Sequence, residues 1–164
     1  MKKSCSKETA NKRKNELQTY AISFLAEICK EFNLQYKEPG FYFYTDNRTA
    51  AFFDTRNNTI TAHNIMAENT DELKQTIRHE CIHFILYNND LPARDEDIMF
   101  LLFAIAYNAN PYNLAIEAAE KQYSKDKLSM LIDRIYDIPT EASLLCKNKL
   151  QRYFNNQHRR IQNG

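Results

Sequence analysis

Two histidines and a glutamate stand together in residues 76–84, TIRHECIHF. His79 and His83 are four positions apart, so on a helix they lie on one face, about one turn from each other. Two imidazoles at this spacing can bind one tetrahedral Zn²⁺. Glu80 would then stand beside the metal, where its carboxylate can take a proton from water and pass it to a leaving amine. The HExxH pattern therefore predicts metal-assisted hydrolysis of an amide bond.

The other interpretation of these three side chains is that they are satisfied polar groups in a protein core. The segment around them is apolar on most sides, which is typical of a helix in the middle of a domain. Burying the three groups side by side without a metal would cost several kcal/mol in unsatisfied polarity. We therefore favour the metal site.

A zinc site of this kind needs a third protein ligand, and the sequence offers acids rather than a histidine. The next histidine is His158, in a polar tail, whereas Asp95, Glu96 and Asp97 come 12–14 residues after His83. In a helix predicted to begin near Asp95, Glu96 shares a side with the core-facing residues. Glu96 is therefore the first choice for the third ligand, and Asp95 is the alternate. Asp95 is otherwise the N-cap, because acids are favoured at the start of any helix.

The pattern of apolar residues predicts an α+β fold in which a sheet precedes the HExxH helix. Asn69 and Glu72 form a capping-box pattern that opens this helix, which should run to about Tyr87. The turn at 54–58 predicts a hairpin, and the sheet is expected to be mainly antiparallel. The predicted elements are a helix over 7–33, strands over 41–44, 50–53 and 59–63, the HExxH helix, a helix over 95–108, a helix over 111–123, a shorter helix, and a helix over 139–156.

The composition fits one domain: the chain has 164 residues, of which 43% are apolar, and a net charge of +1 that does not indicate a nucleic-acid binder. Its four cysteines form no CxxC pair, which favours buried thiols in a reducing compartment. No signal-peptide pattern follows the N-terminal lysines, and the longest apolar run, 98–107, is too short to span a bilayer. We expect a cytoplasmic protein with a core over 1–110 and a helical extension over 111–164 packed on that core.

Five further residues bear on the site. Arg78 either binds a substrate carbonyl or carboxylate or, as we favour, pairs with a nearby surface acid. His63, which ends the third strand, either serves the cleft or is a lone exposed histidine, which we favour. Cys81 lies on the side of the helix opposite the histidines and is expected to be a packing residue. Tyr87 and Tyr107 are the two candidates for a group that stabilises an oxyanion.

This order of elements resembles the minimal zincin core of the ImmA/IrrE family of metallopeptidases, over about residues 10–110. In that family the third ligand is a glutamate that opens an E-x-x-x-F-A segment. Residues 96–101, EDIMFL, match it at Glu96 and Phe100 but have Leu101 in place of the alanine. The resemblance implies a zinc endopeptidase that cleaves a protein, often a helix-turn-helix repressor encoded nearby on a mobile element. The sheet edge before the HExxH helix would align an extended peptide by β-addition.

The segment RHECIHFILY is also similar to the central helix of SprT-like metallopeptidases, which usually take a third histidine that this chain lacks. That resemblance implies an alternative function: a nucleic-acid-associated protein that uses the basic ends of the chain and cleaves DNA-bound proteins, or has no peptidase activity. The basic ends are otherwise solvated helix faces, the interpretation we favour. A binding module with a purely structural zinc ranks third, because such sites usually have four Cys or His ligands.

Overall fold

A computed structural model describes residues 6–48, 50–110 and 140–162, and these form an α+β fold of four helices and a three-stranded sheet. The predicted α+β class is therefore confirmed. The predicted helix over 111–123 and the shorter helix after it lie outside the described residues. In chain order the elements are α1 (Lys7–Phe32), β1 (Gly40–Phe43), β2 (Ala51–Asp54), β3 (Thr59–Ala62), α2 (Thr70–Asn88), α3 (Ile98–Ala106) and α4 (Thr140–Gln162).

The sheet is mixed rather than mainly antiparallel, so that expectation is wrong. β3 lies in the middle, antiparallel to β2 through the predicted hairpin but parallel to β1. The segment between β1 and β2 crosses the carboxyl end of β3, where Tyr44 N–H donates to Ala62 O and His63 N–H donates to Ala50 O. Because β3 is the middle strand, β1 and β2 are the two edge strands.

The hairpin turn at 54–58 is held by the side chain of Asp54. Its carboxylate accepts hydrogen bonds from the Arg56 backbone N–H at 2.9 Å and from Asn57 Nδ2 at 2.7 Å. Asn58 then takes a left-handed conformation with φ 55°, which asparagine tolerates better than most residues. These local bonds fix the register of β2 against β3.

Helix α2 is the centre of the fold and carries the HExxH residues. It begins as predicted: Asn69 Oδ1 accepts from Glu72 N–H at 3.2 Å, and Asn69 Nδ2 donates to the Glu72 carboxylate at 3.1 Å. The sheet packs on one side of α2, and α1 and α3 pack on others. Buried residues therefore surround the helix axis, and they are Leu73, Ile77, His79, Glu80, Cys81, Ile82, Phe84, Ile85 and Leu86.

Helix α4 packs on α3 and α1 and buries Cys146, Leu150 and Phe154 in the common core. Glu31 of α1 ties these elements together, because its carboxylate accepts from Tyr107 Oη at 2.6 Å and pairs with Lys147 Nζ at 3.4 Å. The division of the chain at residue 110 stays a prediction. Among the described residues, no helix has both the length and the apolarity that a membrane span requires.

Candidate metal centre

The loop between α2 and α3 turns the chain back toward the histidines. Asp90 takes a left-handed conformation with φ 54°, and Leu91 N–H donates to Leu86 O at 2.9 Å, so the chain reverses directly after α2. A second turn follows, in which the Asp97 carboxylate accepts from Arg94 N–H at 2.8 Å. These two turns place Asp95 over the face of α2 that carries His79 and His83.

Three ligand-type atoms converge at this point. His79 Nε2 lies 3.0 Å from Asp95 Oδ1, His83 Nε2 lies 3.2 Å from the same oxygen, and the two Nε2 atoms are 3.2 Å apart. In a tetrahedral zinc site with bonds of about 2.0–2.1 Å, ligand atoms are separated by about 3.3 Å. The spacing therefore fits three ligands around one small ion, and these residues form the group that could hold a metal.

Backbone carbonyl groups set the orientation of both imidazoles. His79 Nδ1 lies 3.0 Å from the carbonyl oxygens of Ala109 and Asn110, and His83 Nδ1 lies 2.6 Å from the carbonyl oxygen of Ala93. Because a carbonyl oxygen only accepts, each Nδ1 must carry the hydrogen. Both Nε2 atoms are then directed at the cluster, as in histidines that bind a metal and donate their other N–H to a carbonyl.

The charge of the cluster also suits a cation. Hydrogen bonds from His79 and then His83 hold the pKa of Asp95 well below its ordinary value. Burial lowers the pKa of His83, but the bond to Asp95 and the charge of Glu80 outweigh burial, so that pKa is raised. A metal ion bound by the three atoms would replace the hydrogen bonds among them.

Glu80 lies beside the three ligand atoms but is not one of them. Its side chain is buried, and its carboxylate accepts a hydrogen bond from the Phe53 backbone N–H of β2. Burial raises the pKa of Glu80, and the charges of His79 and His83 only partly oppose this rise. A carboxyl group with a raised pKa beside a metal site is the usual arrangement for a general base.

Phe100 of α3 packs against both imidazole rings. Its ring is fully buried, stacks on His83 with ring centroids 4.1 Å apart, and meets His79 edge-on at 4.8 Å. On the other side, the cluster and Glu80 open into a cavity of about 420 Å³ between α2 and the edge strand β2. The two imidazoles thus pack on a buried aromatic ring, and the ligand atoms are open to the cavity.

The first choice for the third ligand, Glu96, lies outside this cluster, and the alternate, Asp95, lies in it. The helical placement behind that choice is wrong, because α3 begins at Ile98 with Asp97 as its N-cap and residues 94–96 form a turn. The Glu96 carboxylate lies 3.8 Å from Arg94 Nη1 instead. Whether these residues bind a metal stays a prediction.

We expect Asp95→Asn to weaken zinc binding strongly and Glu96→Gln to leave it unchanged. The Asp95 oxygen is 3.0–3.2 Å from both Nε2 atoms, and an amide oxygen there carries no charge to balance the metal. Glu96→Gln is the matched control, since it also removes one exposed carboxylate from the same turn. Titration of zinc against a chromophoric chelator measures both affinities. If Glu96→Gln loses zinc and Asp95→Asn keeps it, the cluster is assigned wrongly.

Other residues considered from the sequence have defined positions. Within residues 6–48, 50–110 and 140–162, Arg78 contacts a carbonyl and a tyrosine and no surface acid, so the predicted ion pair is not found there. His63 is not exposed: its side chain is 8% accessible, donates from Nδ1 to Asp46 at 3.0 Å and stacks on Tyr44. Cys81 is a buried free thiol, which agrees with a packing role.

The two tyrosines proposed for an oxyanion lie in different places. Tyr107, at the end of α3, donates from Oη to Glu31 of α1, so its hydroxyl is already committed. Tyr87 is 48% exposed and lines the cavity beside the histidines and Glu80. Tyr87 alone of the two remains a candidate for that role.

Sequence reasoning missed the groups that hold the ligands in place. These are the carbonyls of Ala93, Ala109 and Asn110, and the ring of Phe100 in its stacking role. A backbone carbonyl leaves no mark in residue type, so the sequence carries no signal for the first three.

Comparison of the chain with protein-family models, with curated proteins and with solved structures finds no significant match.

Proposed function

We propose that this chain is a zinc-dependent endopeptidase, with His79, His83 and Asp95 as the metal ligands and Glu80 as the general base. One observation carries the proposal: three ligand atoms within 3.2 Å of each other adjoin a buried carboxylate, and all four side chains line one open cavity. A zinc site with a purely structural role would need neither an open coordination position nor a buried carboxylate beside it.

The protein groups divide the chemistry between them. A bound zinc ion supplies Lewis acidity and makes hydroxide available near pH 7. Glu80 accepts the proton released from water and returns it to the leaving amine. Phe53 N–H bonds the Glu80 carboxylate at the cleft, and Tyr87, which lines the cavity, is our candidate to donate to a developing oxyanion.

The edge strand β2 supports a peptide as the substrate. His63 N–H donates to Ala50 O, so in the alternating pattern of antiparallel strands Ala51 and Phe53 turn their backbone groups to the free edge. The contact of Phe53 N–H with Glu80 agrees with this orientation. An extended peptide paired with Ala51 would pass along the cavity and bring one amide to Glu80.

The resemblance to ImmA/IrrE peptidases favours a protein substrate, in particular a helix-turn-helix repressor. The SprT-like alternative requires basic side chains available for nucleic acid. Two of the basic side chains near the ends make contacts within the fold: Arg13 donates to Ile65 O and to Thr70 Oγ1, and Lys147 pairs with Glu31. We therefore retain the peptidase as the proposal.

We expect the purified chain to cleave internal peptide bonds in a proteome-derived peptide library and in co-expressed helix-turn-helix repressors from its own locus. New termini, read by mass spectrometry, should disappear when the metal is chelated and return when zinc is added. A cleavage product that persists in the presence of chelator belongs to a contaminant. If wild-type protein loaded with zinc yields no metal-dependent product from either source, the endopeptidase proposal is contradicted.

A further inference from the structure

We propose that Arg78 is a positioning residue of the metal centre, which holds a short turn whose carbonyl groups fix the ring of His79. The inference rests on the proposed metal site and concerns a different part of it from the ligands. Arg78 precedes His79 in the chain, but its guanidinium contacts Asn108 and Tyr20 and not the ligand atoms, so it cannot act on the metal directly. It acts through residues 108–110, the segment that follows α3.

The guanidinium of Arg78 donates two hydrogen bonds to the carbonyl oxygen of Asn108. Nε lies 3.1 Å and Nη2 lies 2.7 Å from the carbonyl oxygen of Asn108, while Nη1 donates to Tyr20 Oη of α1 at 2.5 Å. The planar fork of arginine suits this arrangement, because its donors keep a fixed geometry that a lysine lacks. The position of Asn108 is thereby tied to both α2 and α1.

The turn that Arg78 holds is left-handed at two asparagines, a conformation that asparagine tolerates better than most residues. Asn108 and Asn110 both have positive φ, 49° and 44°, on either side of the buried Ala109. Ala109 N–H donates to Ala104 O at 2.7 Å, which secures the turn to the end of α3. The carbonyls of Ala109 and Asn110 then both point at His79 Nδ1, at 3.0 Å each.

Loss of the two hydrogen bonds from Arg78 to Asn108 O should therefore increase the mobility of the His79 ring and leave the His83 ring in place. Asn108 O would lose two charge-assisted hydrogen bonds, and the two carbonyls after it would be held at His79 Nδ1 less firmly, by the bond from Ala109 N–H to Ala104 O. The His79 ring could then turn or exchange its tautomer, which removes Nε2 from the cluster for part of the time. His83 is fixed by Ala93 in the loop before α3, which Arg78 does not contact.

The test is the zinc affinity of Arg78→Met, measured by competition with a chromophoric chelator. Loss of a direct partner of a metal-bound histidine typically costs about 10–100-fold in affinity, and we expect a loss toward the lower end of this range, because Arg78 acts through the turn that carries those partners. Arg78→Lys should be intermediate, since one ammonium can replace only part of the fork. Lys74→Met is the matched control: it removes a cation one turn earlier on α2 that lies over the Tyr20 ring, and it should bind zinc like wild type.

A second readout separates positioning from general destabilisation. In ¹⁵N-labelled metal-free protein, the Nδ1–H of His79 should be protected from exchange in wild type and Lys74→Met, and should lose protection in Arg78→Met. If Arg78→Met does not fold, Arg78→Lys carries both measurements. Affinity within twofold of wild type in the folded Arg78 variants overturns the inference, whereas failure of wild type to bind zinc overturns the metal site itself.

Discussion

Glu80→Gln should keep the fold and the zinc while turnover falls by about 10²–10⁴-fold, the usual contribution of a general base. The residue is 5% exposed and lies beside the cluster, and glutamine has nearly the same shape. Its amide oxygen can still accept from Phe53 N–H, so the contact with β2 survives. What the amide cannot do is take a proton, and only the chemical step should therefore suffer.

The control for this change is Glu96→Gln, which removes a carboxylate near the same cavity without touching the cluster. Rates of cleavage on one peptide, together with zinc content and thermal unfolding, should be measured for both variants and wild type. We expect Glu96→Gln to match wild type in all three. Undiminished cleavage by Glu80→Gln would exclude Glu80 as the base, even with the metal in place.

The central helix and its two histidines could be predicted from the sequence because their signals are local. The capping pair Asn69 and Glu72 and the i, i+4 spacing of His79 and His83 depend only on helix geometry, and both appear in the structure as predicted. The hairpin at 54–58 was equally local. These features need no knowledge of how distant segments pack.

The sheet order and the third ligand could not be predicted with the same security, since each depends on where a loop returns. The parallel pairing of β1 with β3 follows from the path of the segment between β1 and β2, which no periodicity encodes. The apolar pattern predicts that the helix after the HExxH helix begins near Asp95, whereas Asp97 is its N-cap. Because the helix begins two residues later than predicted, Asp95 lies in the preceding turn, where its carboxylate faces the two histidines.

His79→Ala and His83→Ala should each abolish stoichiometric zinc binding. Each removes one of three converging ligand atoms, so the cost should exceed the 10–100-fold of an outer partner, by about another order of magnitude or more. Ligand linkage gives a second sign of the loss: zinc at 100 times its Kd adds about 2.7 kcal/mol to the free energy of unfolding of wild type. The variants should show no such gain at the same zinc concentration.

The central claim is that His79, His83 and Asp95 form one metal site, and metal content per chain tests it most directly. Protein purified without chelator, then dialysed against limiting zinc, is analysed by mass spectrometry of the metal alongside the His79→Ala/His83→Ala double variant. The account predicts about one zinc per chain in wild type and essentially none in the double variant. Equal zinc in the two proteins, or none in wild type after zinc loading, would contradict it.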